Sequence, residues 1–95
     1  MSASLALRGT STEPQFRLRR GGHPYDLKVL DSTVLIECQS KAFHGERELA
    51  ADCQWDNEAI AAKHVVAKVL YGEAIYEPDA FARRIESLKR MWPAV

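Results

Sequence analysis

The chain has 95 residues, of which 46% are apolar and 27% charged, with Lys plus Arg and Asp plus Glu balanced at 13 each. That length supports one small domain, which buries somewhat more than roughly 60% of the surface its unfolded chain exposes, and the composition excludes a disordered, highly charged chain. A net charge of zero excludes a whole-molecule field toward phosphate backbones or anionic lipid, so any electrostatic function has to be local.

The opening stretch, Met1 to Glu13, is rich in Ser, Thr, Ala and Gly and has no apolar period. It predicts a flexible tail over residues 1–13 ahead of a single α+β domain over 14–95, the rival being an arm ordered by a partner. It lacks a basic region followed by an apolar run, and no segment approaches the ~18 apolar residues of a membrane span. The expectation is a soluble, cytoplasmic protein without membrane association. Two cysteines, Cys38 and Cys53, are too few for a disulfide scaffold and are expected to be reduced.

Gln15 to Arg20 alternates Phe16 and Leu18 with Arg17 and Arg19, the period of a half-buried strand. Gly21-Gly22-His23-Pro24 forms a turn, and Tyr25, Leu27 and Val29 resume the alternation, which predicts a hairpin. After Asp31-Ser32, the run Thr33 to Cys38 looks buried on both faces and predicts a central strand. A polar loop follows from Gln39 to Glu46. Leu49, Ala51, Cys53 and Trp55 then recur at every second residue, predicting a fourth strand over 47–55, although Glu, Leu and Ala equally favour helix.

Asp56 as N-cap and Gly72 as stop bracket a predicted helix over Asn57 to Tyr71. Only Lys63, His64 and Lys68 interrupt its apolar surface, so it would need cover on more than one side. Pro78 suits a first helical turn, and Phe81, Ile85, Leu88 and Trp92 form the apolar stripe of a last helix ending at Trp92-Pro93. The sum is ββββαα, a four-stranded antiparallel sheet with two C-terminal helices packed on one face; taking 47–55 as helix gives βββααα instead.

Cys38, His44, Cys53 and His64 are the one set with zinc-ligand chemistry, but no C-x2-C or H-x3-H spacing supports it, and both cysteines fall on the core faces of predicted strands. No metal or cofactor site is assigned. A cysteine nucleophile would pair Cys53 with His64 or His44, again without a local signature, so no catalytic residue is assigned. His64, four residues before Lys68, reads as a boundary histidine, and His23 reads as a turn residue. No phosphate-cradling glycine loop is present.

Charge is unevenly placed. Pro14 to Leu30 carries four basic residues (Arg17, Arg19, Arg20, Lys28) against Asp26, Glu46 to Glu58 carries five acidic residues against Arg47, and the last helix has a net charge of +2. If the first strand lies beside the last helix, Arg17, Arg19, Arg83 and Arg90 make one basic surface able to hold phosphates. The same asymmetry suits protein contacts, with Phe43, Trp55, Tyr71, Tyr76 and Trp92 as anchors or, more simply, as core. These features point to a small non-enzymatic protein-interaction or regulatory module, with a homodimer or an unknown protein as the expected partner. A nucleic-acid-binding domain using the basic strand and final helix is the alternative, and an enzyme built on His64 and Cys53 is the third reading.

Overall fold

A computed structural model describes Leu5, residues 9–39 and residues 46–94. The chain is α+β: a four-stranded sheet in the order β1-β2-β3-β4 carries helices on both faces. The strands are β1 (Thr12–Arg17), β2 (Pro24–Val29), β3 (Val34–Gln39) and β4 (Val65–Leu70). The helices are α1 (Glu46–Ala61), α2 (Tyr71–Tyr76) and α3 (Pro78–Met91). Among the described residues no helix is long and apolar enough to cross a membrane.

The first three strands form the antiparallel meander that period-two alternation predicts. Phe16 faces Tyr25 and Pro14 faces Leu27 across β1 and β2. Pro14 has no N–H to donate, which a strand paired on one side tolerates, and Pro24 occupies the first position of β2 for the same reason. Between them Gly21 takes φ +76°, which favours glycine, and a Cβ on Gly22 would lie 3.1 Å from the Arg19 carbonyl, a tight approach that glycine avoids. At the next turn the buried Ser32 hydroxyl donates to the Val29 carbonyl at 2.6 Å and accepts from Val34 N–H at 3.1 Å, which satisfies both groups out of water.

The fourth strand comes from a different segment than expected. Residues 47–55 lie within α1, and the segment 57–71 is not one helix: it finishes α1, turns at residues 62–64 and runs on as β4. From Glu46 to Ala59 there is no β-branched residue, whereas Val65-Val66-Ala67-Lys68-Val69 holds three valines, and these propensities decide the two states. The helix stops without glycine. His64 N–H bonds to the Ala59 carbonyl at 2.8 Å and Lys63 N–H to that of Ile60 at 2.9 Å, a Schellman closure with Lys63 at φ +60° in the position glycine usually fills.

Because α1 crosses over between them, β3 and β4 pair in parallel, in register from Val34↔Val65 to Gln39↔Leu70. The antiparallel expectation therefore holds for β1, β2 and β3, and one pair is parallel. The two C-terminal helices pack on one face, where Phe81, Ala82 and Ile85 of α3 and Ala74 of α2 meet Leu27, Val29, Val34 and Ile36. Leu5 is fully enclosed in this cluster. On the other face Ala59 and Trp55 of α1 close over Leu35, Tyr25, Phe16 and Val66. As the two-sided apolar run predicts, β3 is buried on both sides.

Trp92 ends the α3 stripe half out of the core at 42% exposure, but its carbonyl accepts from Thr33 N–H at 2.8 Å and Thr33 Oγ1 at 3.2 Å. Pro93 bridges to Ser32, and Ala94 N–H reaches the Asp31 carbonyl at 3.3 Å. The last described residues are thus strapped across the β2–β3 turn.

An L residue in the left-handed region carries a penalty of about 1–2 kcal/mol. Lys63→Gly is therefore expected to raise the free energy of unfolding by about 1 kcal/mol, and Lys63→Val to lower it by at least as much. Urea denaturation at constant m-value measures both.

Candidate functional site

The polar centre of the molecule lies between β2 and β3 on the α1 face. The backbone pairing of these strands comprises Leu27↔Ile36 and Lys28↔Leu35, and the next level would set Asp26 opposite Glu37. There the ladder changes chemistry. Asp26 N–H donates to Glu37 Oε1 at 3.1 Å, and Cys38 N–H donates to Asp26 Oδ2 at 2.7 Å. Each carboxylate takes the place of a carbonyl on the partner strand, so the two acids are held side by side by charge-assisted bonds.

The backbone is distorted at the same level. Tyr25 and Leu27, two residues apart, fall in core clusters on opposite faces, which breaks the period of β2 at Asp26. Gln15, at this level on β1, has φ +52°. A non-glycine residue in this region stores strain of order 1–3 kcal/mol, and such strain clusters at functional sites.

His23 approaches from the β1–β2 turn, with Nε2 3.3 Å from Glu37 Oε1. Its ring lies on Trp55 at a centroid distance of 3.8 Å and 11° between planes, and meets Tyr25 edge-on at 4.8 Å and 87°. Tyr25 Oη donates to the Trp55 carbonyl at 2.7 Å, which ties this frame to α1. The side chains of His23 and Glu37 are 14% and 22% exposed. Lys28 stands on the same face with Nζ 4.6 Å from the Phe16 ring centre.

Burial, and after it the charge of Asp26, lifts the Glu37 carboxyl above its ordinary value of 4.5, with His23 and the Asp26 amide pulling the other way. Burial and the Asp26 charge thus both oppose the ionised form of Glu37, and a cation at the pair would offset that opposition. Asp26 Oδ1 and Glu37 Oε2 take no part in the bonds described. Among the described residues no three His, Cys, Asp or Glu side chains are grouped to hold a metal. A hard cation of the magnesium class does not require three, because it is commonly held by one or two carboxylates and completes its shell with water and substrate phosphate.

The residues singled out from the sequence lie elsewhere. Arg17 donates to the Gly22 carbonyl, and Arg19 pairs with Glu58 of α1 at 3.5 Å. Arg83 and Arg90 are exposed on α3, which packs on the opposite sheet face, and Arg90 donates to Ser87 Oγ at 3.2 Å. Cys38 packs toward the α3 face, and burial, followed by the Asp26 charge, pushes its thiol up to about 11. Cys53 is exposed on α1, a correction to its expected place in a strand core, because a helix of this composition turns it to water. His64 caps the end of α1, with Nδ1 2.7 Å from the Ala62 carbonyl. Tyr71, Tyr76 and Trp92 are exposed rather than core. His44 and Phe43, together with residues 1–4 and 6–8 of the expected tail, lie outside the described residues.

Sequence reasoning missed Asp26 and Glu37. The available signal was a carboxylate inside an otherwise apolar strand run, at Tyr-Asp-Leu and again at Ile-Glu-Cys. Acids of that kind are rarely enclosed without a partner.

A carboxyl with a raised folded-state value favours folding while protonated and loses that advantage as it ionises. Relative to Glu37→Gln, the wild-type chain is therefore expected to lose stability as pH rises from about the ordinary value of 4.5 through the raised one, in chelator-treated buffer. Below that window the difference should vanish, and thermal melts across pH 3–8 would check it. No protein-family profile matches the chain, and neither the curated proteins nor the solved structures include a significant match to it.

Proposed function

We propose that the protein is a divalent-cation-dependent hydrolase of phosphate diesters, acting on nucleic acid, with Asp26 and Glu37 as the cation ligands. The observation that carries this reading is the side-by-side placement of the two carboxylates, one of them with its ionisation opposed by burial and by its neighbour. Asp26 and Glu37 would hold a magnesium-class ion, which would offset that opposition and supply Lewis-acid polarisation of a phosphate oxygen and of a bound water. Hydrolysis would then join a water oxygen to phosphorus with loss of its proton to solvent, while the ester P–O bond breaks and the leaving oxygen takes up a proton from solvent. Nucleic acid is favoured as substrate by the basic hairpin end from which His23 enters, where Arg17, Arg19 and Arg20 follow one another, Arg17 also donating to the Gly22 carbonyl and Arg19 pairing with Glu58. The sequence reading, which weighs only cysteine and histidine chemistry, has no place for this pair.

The wild-type chain is expected to cleave short labelled DNA or RNA in Mg2+ or Mn2+ and to stop in EDTA. Asp26→Asn and Glu37→Gln should each lower the rate by at least about 10^3-fold, since each removes a ligand charge from the group that stabilises the transition state. Cleavage that persists in both variants, or a wild type inert toward both nucleic acids with either metal, sinks the reading.

Self-association is a second reading, and it now rests on a different observation from the one the sequence suggested, because the apolar segment 57–71 is shared between α1 and β4. Among the described residues β4 is an edge strand with none beyond it, and α2 beside it exposes Ile75 at 65% and Tyr76 at 83%. Apolar side chains next to an open strand edge suit contact with a second copy. Sedimentation at micromolar concentration should then show a dimer that Ile75→Glu with Tyr76→Glu converts to monomer, and a wild-type monomer at that concentration excludes it.

A further inference from the structure

A cavity of about 320 Å3 opens where the end of α1 meets the β2–β3 turn, and its wall is basic. Lys28 enters it from β2, Lys63 and His64 from the turn that closes α1, and Ser32 and Thr33 from the turn between β2 and β3. Among the described residues no carboxylate lines it. Neither lysine belongs to an ion pair among those residues. Glu13 stands opposite Lys28 in register without pairing to it, and the nearest acids of α1 are engaged elsewhere, Asp56 with Lys68 and Glu58 with Arg19.

The basic groups are held in place. Lys28 Nζ lies 4.6 Å from the centre of the Phe16 ring, and the same ring stacks on His64 at a centroid distance of 6.3 Å and 29° between planes. One aromatic side chain therefore fixes both. His64 Nδ1 donates to the Ala62 carbonyl at 2.7 Å, so Nε2 is the ring nitrogen left to a ligand. Lys63 is placed by its backbone, at φ +60° in a position that favours glycine. Such strain clusters at binding and catalytic sites. The two hydroxyls, by contrast, are committed within the protein, Ser32 to Val29 and Val34 and Thr33 to the Trp92 carbonyl. They shape the floor, and the charge comes from the bases.

Two ammonium groups and an imidazole around one concavity repel one another unless an anion offsets them. Lysine acts on phosphate as a point charge, and a doubly charged phosphate answers two lysines at once. The volume is at the small end of the ~300–1,000 Å3 usual for ligand sites, which fits one phosphate group whose remaining substituent, where there is one, extends into solvent. We infer that this cavity binds a phosphate group, held by Lys28, Lys63 and His64. The site shares no residue with the Asp26–Glu37 pair and stands without it.

The probe is inorganic phosphate, titrated at constant ionic strength into the isotope-labelled full-length chain, with acetate as the singly charged comparison. Phosphate should produce saturable amide shifts at Lys28, Thr33, Lys63 and His64, and acetate should not. Lys63→Gly and Lys63→Asn both suit the left-handed backbone, so they remove the charge while keeping the turn. Each is expected to weaken phosphate at least about 10-fold, with Lys63→Gly melting above the wild type, so the loss of binding cannot come from unfolding. Lys63→Arg should retain affinity, and Lys28→Met, which keeps a stem over Phe16, should lose it to a similar degree. Absence of saturable shifts in the wild type overturns the inference, as do equal shifts with acetate or wild-type affinity in either Lys63→Gly or Lys28→Met. Two short oligonucleotides, one ending in a 5′-phosphate and one in a 5′-hydroxyl, separate the sources of the group. Shifts of the same amides by the first alone identify a strand end, and phosphate binding with neither identifies a small free anion. Equal shifts with both would mark a general polyanion surface and overturn the pocket.

Discussion

The exchange of carboxylates for carbonyls between β2 and β3 governs the rest of the molecule. A continuous ladder at this level would pair Asp26 and Glu37 through their backbones. Here the acids are drawn between the strands, where each answers an amide of the other strand. The distortions around them follow from that choice. Gln15 adopts a left-handed conformation opposite Asp26, Tyr25 swings to the α1 face, and the tyrosine then becomes available to bond the Trp55 carbonyl. Two acids in a half-enclosed place are unfavourable unless something offsets their charge. An arrangement that retains them therefore invites an explanation from chemistry.

The helical crossover supplies the enclosure. With β3 and β4 parallel, the connection must pass over one face of the sheet, and α1 does so with Ala59 against the strands and Trp55 over His23. The acidic and basic stretches of the sequence meet through this helix. Arg19 of the β1–β2 turn pairs with Glu58, and Lys68 of β4 pairs with Asp56 at 2.9 Å. These surface pairs are each worth a fraction of a kcal/mol. Their use is orientation, since they hold α1 at both the hairpin side and the β4 side of the sheet. The opposite face has its own tie, from Arg84 of α3 to Glu73 of α2, which holds the Glu73 carboxyl below its ordinary value.

Much of the scaffold was legible in the residues. Alternation located β1 and β2, the doubly apolar run located β3, and the Phe81, Ile85 and Leu88 stripe located α3 and its buried side. The exchange of helix and strand over residues 46–70 has a specific cause. The apolar residues run without glycine or proline from Ala59 to Tyr71, so nothing in that sequence advertises the turn that Lys63 makes by adopting a conformation usually left to glycine. Leu49, Ala51, Cys53 and Trp55 fit a period of two by coincidence, and the absence of β-branched residues around them was the better guide. The site was less legible. Asp26 entered the charge tally as one more acid, and Glu37 was hidden in a run read as core. What makes them distinctive is their opposition across two strands, and that depends on a register which sequence alone leaves free.

The strap of residues 92–94 over the β2–β3 turn bears on how the chain assembles. Thr33 and Trp92 are 59 residues apart, so their bonds tie the turn between β2 and β3 to the last described residues across a long loop. Closing so long a loop is entropically unfavourable until the intervening elements are already compact. The meander and the α1–β4 unit can organise through nearer neighbours, leaving this closure as the final step of folding. By the same reasoning it is the first to open, so amide exchange at Thr33 and Ala94 would report local fraying well before the sheet gives way.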